Sequence, residues 1–200
     1  MGQPRDPVAE FEFRVACQFA ALRKASQKAG CLLKTKDLPP AARSCAPGME
    51  VSVYQHPGAD RIWKATFPGK AGYGPFGFFT PAGYLRRMRL TNLVFGDDIR
   101  FEGILTRREG LSIVISQPYI QPHPVRFIPT EEEIAACLTA LGFALAEEGG
   151  AWERDDGVIL GDAHDRNFIR APDGLIYVID VQPKLRPGHD WDRVRAPSRA

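Results

Sequence analysis

Apolar residues recur at three- and four-residue spacing near the start of the chain, at Val8, Phe11, Val15, Phe19 and Leu22. That period predicts an amphipathic helix over residues 7–29, with Pro7 in its first turn and Gly30 as its stop. Residues 34–48 then carry three prolines and a glycine and read as a linker. Two strands are predicted at 51–54 and 61–67, flanking the turn-rich segment 56–60, as a hairpin. A glycine-rich loop at 68–77 follows. Thr80 and Pro81 suit the N-cap and first position of a second helix over about 81–95. In it Tyr84, Leu85, Met88 and Leu93 are candidate core residues, and Arg86, Arg87 and Arg89 a solvated face. Strands at 99–106 and 111–116 come next, joined by a turn. The proline-rich stretch 117–129 reads as a connector. Thr130 and Glu133 stand at capping-box spacing and open a third helix expected to run to about 146. Short strands at 158–160 and 175–180 close the pattern. Strands, then a connector, then a helix and a small hairpin make an α+β order. The predicted division is an N-terminal helix and linker (1–48), a sheet-plus-helix lobe (49–120) and a second lobe with the polar loop described below (121–200).

Composition narrows the function classes. The chain of 200 residues is 44% hydrophobic and 25% charged, with a formal charge of +2. That balance gives no strong nucleic-acid signal and no membrane signal. The N-terminus is polar, without the apolar core of a signal peptide. Cys17, Cys31, Cys45 and Cys137 show no CxxC or zinc-finger spacing and read as free thiols in a reducing cytoplasm. His56, His123 and His189 are scattered and read as turn or surface residues.

Chemistry concentrates between Val158 and Asp180. An apolar strand ends on Gly161-Asp162, a polar loop reaches Asn167, and a second apolar strand returns to end on Asp180. As a hairpin this would converge three oxygen donors at one end of a small sheet. Hard oxygen donors suit Mg2+, which needs few protein ligands when phosphates supply the rest. A further carboxylate could orient an attacking hydroxyl, the division of labour that phosphoryl transfer requires. Taken singly, each of these residues also reads as an ordinary turn residue.

The pattern Gly161-Asp162-x-His164-x-x-Asn167, followed by Ile179-Asp180, resembles the catalytic loop and metal-binding strand of the aminoglycoside phosphotransferase and choline kinase branch of the kinase-like fold. The wider chain resembles the kinase-like domains found in polyvalent proteins of phages and mobile elements, through Trp63-Lys64, the glycine-rich stretch, the segment 95–99 and Ser116-Gln117-Pro118-Tyr119. The resemblance implies a reduced, two-lobed protein-kinase-like fold with a truncated C-lobe and an extra N-terminal helix. It implies an ATP- and Mg2+-dependent phosphotransferase acting on a protein or small-molecule acceptor. Asp162 would be the catalytic base, Asn167 and Asp180 the metal ligands, and Lys64 the phosphate contact. Ser116, Gln117 and Tyr119 would form the hinge beside the nucleotide base, and His164 would be structural.

Departures from the family pattern leave a second reading, a catalytically silent interaction module. The helix over 81–95 contains no acidic partner for Lys64, although Asp97, Asp98 or Glu102 could substitute; the glycine-rich stretch follows the lysine; and Val181 follows Asp180. A third reading takes Gly72-x-Gly74-x-x-Gly77, with Asp97 further on, as a dinucleotide fingerprint. It lacks the direct entry into a helix that a dinucleotide fold requires.

Overall fold

The computed structural model describes residues 6–40, 51–74, 77–147 and 150–197. Residues 41–48 of the predicted linker, with Cys45, lie outside them, as do residues 75 and 76 of the glycine-rich stretch. The chain is α+β. In order it forms α1 (Pro7–Lys28), β1 (Leu32–Leu33), β2 (Val51–Tyr54), β3 (Arg61–Thr66), β4 (Tyr73–Gly74), β5 (Gly77–Phe78), α2 (Pro81–Phe95), β6 (Arg100–Arg107) and β7 (Gly110–Pro118). Then follow α3 (Glu131–Ala140), β8 (Ala144–Leu145), β9 (Trp152–Glu153), β10 (Val158–Gly161), β11 (Phe168–Arg170), β12 (Ile176–Val178) and β13 (Gln182–Leu185). The chain divides into two compact units. One holds Met1–Tyr73, Gly77–Arg86 and Ile99–Pro118; the other holds Gly74–Phe76, Arg87–Asp98 and Tyr119–Ala200.

The first unit is built on a five-stranded sheet in the order β1-β6-β7-β3-β2. All pairs are antiparallel except β1 with β6. Alternation along the strands puts Ala65, Leu105 and Val114 in one fully buried cluster, against which Leu33, Leu38, Tyr54 and Trp63 pack. Leu32–Leu33 is an unpredicted strand of the sheet, and Leu38, inside the predicted linker 34–48, packs on its core. A two-residue strand is too short to show a period. It exists because β6 bulges between Phe101 and Gly103, which lets the Ile104 amide donate to the Cys31 carbonyl at 3.2 Å. Gly103 sits at φ +148, and a Cβ there would lie 2.0 Å from that carbonyl oxygen.

Helix α1 begins as the sequence predicts, with the Asp6 carboxylate accepting from the Val8 amide at 3.0 Å. The Gln18 side-chain oxygen accepts from the Ala82 amide at 2.9 Å, tying α1 to the start of α2. Its predicted apolar stripe is only partly covered. Phe19 is buried, Phe11, Val15 and Leu22 are half-buried, and Val8 is 63% exposed.

In the second unit the core gathers Leu90 and Val94 of α2, Ile134 and Leu138 of α3, and Val158, Leu160, Phe168 and Val178 of the strands. On α2 the residues buried are Pro81, Tyr84, Arg87, Leu90, Thr91 and Val94, whereas Leu85, Met88 and Leu93 are half-buried. Arg87 is thus not on a solvated face. Its neighbours Arg86 and Arg89 are exposed, and the Arg89 guanidinium lies 5.4 Å from the Trp191 ring centroid.

Helix α3 opens on the capping box. The Glu133 amide donates to Thr130 Oγ1 at 3.3 Å, and the Thr130 amide to Glu133 Oε2 at 2.8 Å. It ends at Ala140, short of the predicted 146. Gly142 takes φ +84, and the Phe143 amide donates back to the Leu138 carbonyl at 3.0 Å. This is a glycine-terminated helix end, and it turns the buried Phe143 into the core and Ala144–Leu145 into a strand.

The strand pairing also departs from expectation. The predicted partner of Val158–Leu160 was the 175–180 segment. Instead β10 pairs with β9 and β13, and β12 pairs with β11. Gln182–Leu185 contains Pro183 and carries no strand-like alternation; it is tolerated because β13 is a sheet edge.

Candidate active site

Strand β10 delivers Asp162 at its end. Asp162 has φ +60, in the left-handed region, and is the non-glycine residue found there among the described residues. Asparagine and aspartate enter this region more readily than other side chains because they bond locally. The bond here comes from Asn167, whose Nδ2 donates to the Asp162 carbonyl oxygen at 2.7 Å. Residues 165–167 form one 3-10 turn, closed by the Asn167 amide donating to the His164 carbonyl at 2.9 Å. His164 Nε2 lies 3.3 Å from Asp162 Oδ1 and 3.3 Å from Asn167 Nδ2. His164 therefore touches both predicted site residues, as a loop-shaping role requires.

Register decides where Asp180 falls. Phe168 pairs with Val178, and the Ile179 amide donates to the Asn167 carbonyl at 2.9 Å. Gly161 pairs with Gln182, where the β10–β13 ladder ends as Asp162 leaves the extended region. Asp180 is the residue between Ile179 and Val181. Along the chain it falls between the residue that bonds Asn167 and the strand that pairs with Gly161, the neighbour of Asp162. Asp180 thus lies on the segment that links the Asn167 side of the ribbon to the β10–β13 ladder, and not at the end of the predicted hairpin. Segment 179–181 crosses from the β11 ribbon to the β10 sheet, and Asp180 is presented at that crossing. Val178 and Val181 are buried on either side while Asp180 is exposed.

The donor set has the chemistry of a hard-cation site. Two carboxylates and one amide oxygen are offered, and Asn167, 8% exposed, spends its Nδ2 on the Asp162 carbonyl. That orients its Oδ1 the other way. Among the described residues no cluster of three or more His, Cys, Asp and Glu side chains could by itself hold a metal. Such a site suits a cation that phosphates also ligate.

Lys64, Ser116 and Gln117 belong to the first unit. Lys64 is at the middle of β3, 8% exposed, paired with Val53 on one side and Ile115 on the other. Ser116 is fully buried opposite Trp63. Its Oγ accepts from Arg61 Nε at 2.9 Å and donates to Glu102, and its carbonyl accepts from Arg61 Nη2 at 3.1 Å. Glu102 is thus engaged with Ser116. Gln117 is buried and Tyr119 is 42% exposed. The chain leaves the first unit between Pro118 and Tyr119, within the predicted hinge.

Sequence reasoning missed the support behind the loop. Glu133, besides capping α3, pairs with Arg170 on β11, three residues past Asn167. The hydrogen bond from Arg170 and the cap together hold the Glu133 carboxyl below its ordinary pKa. A cavity of about 560 Å³ opens beside this pair, lined by Cys137, Tyr177 and Val178 among others. Burial pushes the Cys137 thiol pKa up, so it is not a prepared nucleophile. The capping-box spacing was a visible signal for Glu133. Nothing local marks Arg170 as its partner.

A family profile described as "Serine/Threonine/Tyrosine Kinase found in polyvalent proteins" matches residues 17–187. No curated protein and no solved structure matches the chain. The chain belongs to this kinase family of polyvalent proteins, and it is kinase-like in its general phosphotransferase character. None of the described helices is long and apolar enough to cross a membrane.

Proposed function

We propose that this kinase-family chain transfers the γ-phosphoryl group of ATP, with Mg2+, to a hydroxyl of a protein or small-molecule acceptor. The observation that carries the reading is the place of Asp180 on the segment that links the Asn167 side of the ribbon to the β10–β13 ladder, which ends at Gly161 beside Asp162. Asn167 and Asp180 would hold the metal, which supplies charge neutralisation on the phosphates. Asp162 would accept the proton of the acceptor hydroxyl as its oxygen attacks the γ-phosphorus and ADP leaves. The left-handed Asp162 backbone supports this role, since the Asn167 bond fixes where the carboxylate starts. His164 would keep that carboxylate in place. The loop's likeness to the aminoglycoside phosphotransferase and choline kinase pattern belongs to the same proposal. Lys64, buried mid-sheet, would reach the nucleotide phosphates. Segment 116–119 would flank the base through its backbone and through Gln117 and Tyr119, because the Ser116 hydroxyl is already committed. A cytoplasmic setting, in a phage or mobile element, fits an ATP-dependent enzyme of this family.

Calorimetric titration with ATP and Mg2+, alongside a phosphotransfer assay, tests the assignment. Asp180→Ala should abolish metal-dependent nucleotide binding by removing a ligand charge. Asp162→Asn keeps the left-handed turn; it should spare binding and remove transfer. Wild-type binding and turnover in both variants would refute the site.

One observation favours a second reading, that of a silent interaction module: helix α2, Pro81–Phe95, contains no acidic residue to pair with Lys64. The same titration separates the two, since a silent module gives no turnover in the wild type.

A further inference from the structure

Helix α1 presents a ridge of residues four apart, Val8, Glu12, Ala16, Ala20, Lys24 and Lys28, and all six are exposed. Residues at this spacing form one continuous ridge on a helix surface. All of the ridge but Lys28 lines a groove of about 950 Å³, which Lys70, Ala71, Gly72, Phe79 and Leu111 also line. The groove is predominantly apolar and extends along α1 from Val8 to Gln27, a length of roughly 28 Å at 1.5 Å per residue. Phe11 and Val15 also line it and are only half-buried, and they account for the uncovered part of the α1 stripe.

The charges on the ridge are ordered. Glu12 stands toward one end, Lys24 and Lys28 toward the other, and two alanines lie between. A second α1 laid antiparallel, centred at position 18, sets Ala16 against Ala20 of the other copy, twice. The same superposition sets Glu12 against Lys24 of the other copy, twice. A parallel copy would instead set Glu12 on Glu12 and Lys24 on Lys24. The small central residues allow the helix axes to approach closely, and the flanking charges select the antiparallel direction.

We infer that the α1 groove is the interface of a two-fold symmetric homodimer, in which each α1 fills the groove of the other copy. The proposal is independent of the phosphotransfer site. A two-fold interface must be self-complementary, and this ridge is so in both shape and charge.

Sedimentation equilibrium of the full chain over a concentration series tests it. The expected species is a reversible dimer of twice the 22.2 kDa chain mass. Ala16→Arg places a bulky charge at the centre of an exposed ridge, where it does not disturb the fold of one chain. It should raise the dimer dissociation constant at least tenfold. Glu12→Lys and Lys24→Glu should each weaken the dimer, and the double variant Glu12→Lys/Lys24→Glu should restore it. Far-ultraviolet circular dichroism confirms that each variant stays folded. A wild-type chain that is monomeric throughout the series overturns the proposal. So does a dimer indifferent to Ala16→Arg, or a double variant no tighter than the single ones.

Discussion

Asp162 is where stability and chemistry make opposite demands, and the conflict can be measured. Its φ of +60 is left-handed, a conformation that costs a Cβ-bearing residue about 1–2 kcal/mol. Aspartate and asparagine pay less of it because of local polar contacts. Here the Asn167 Nδ2 bond to the Asp162 carbonyl, at 2.7 Å, holds the turn whatever side chain stands at 162. The Asp162 side chain is 36% exposed, so deleting it forfeits little packing. Asp162→Asn should therefore stay within about 0.5 kcal/mol of wild type. Asp162→Gly should do the same, because relief of the left-handed strain is offset by about 0.5–1 kcal/mol of extra unfolded-state entropy. Asp162→Ala has neither the local polar group nor glycine's freedom and should lose about 1–1.5 kcal/mol. In a chain of this size that is a drop of roughly 2–6 °C in melting temperature. Urea denaturation of the three variants, fitted with a common slope, reads these differences directly. All three should lose phosphotransfer. An alanine variant as stable as the asparagine variant would refute the reasoning, because the left-handed turn would then be imposing no cost.

The Arg154–Asp156 pair should be among the most sensitive points of the second unit. Its two hydrogen bonds measure 2.9 and 2.7 Å with side chains 2% and 5% exposed, and the Arg195 carbonyl and amide bond to the same pair at 2.9 Å. Asp156→Ala leaves a buried guanidinium without its countercharge and should cost about 3–5 kcal/mol in denaturant unfolding; a loss below about 1 kcal/mol would contradict the burial of the pair. The pH dependence has a definite sign. Burial pushes the Asp156 carboxyl pKa up, but the bonds from Arg154 and from the Arg195 and Val158 amides together outweigh it, and the net shift is downward. Its contribution is then fully present above the unfolded-state value of about 3.9 and is lost as pH falls through the lower folded value. The stability gap between wild type and Asp156→Asn should accordingly be constant at neutral pH and narrow only below about pH 4. At Gly103 an added Cβ would lie 2.0 Å from the Cys31 carbonyl oxygen, with φ at +148. Gly103→Ala should cost on the order of 3 kcal/mol and detach β1, seen as a lowered urea midpoint and lost hydrogen-exchange protection at Ile104; an unchanged midpoint would refute it.

Most places where elements begin were legible in the sequence, as were the oxygen donors from which the proposed site is drawn. Thr80 and Thr130 each cap the helix they were expected to open, because a cap and a period are recorded within a few residues of one another. Asp162, Asn167 and Asp180 stood out because oxygen donors follow apolar runs at short spacing. What the tertiary structure alone decided was pairing. Val158–Gly161 takes Gln182–Leu185 as its neighbour and leaves Ile176–Val178 to Phe168–Arg170. Leu32–Leu33 joins β6 in parallel. Arg87 is buried although two of its neighbouring arginines are exposed, and Glu133 meets Arg170 from 37 positions away. No local pattern encodes such choices, since a strand's period names the face it buries and not the strand that will lie beside it. Partners are selected when all the apolar faces compete for one core. In this chain that competition left Asp180 at the crossing between two sheets, between the residue that bonds Asn167 and the strand that pairs with Gly161.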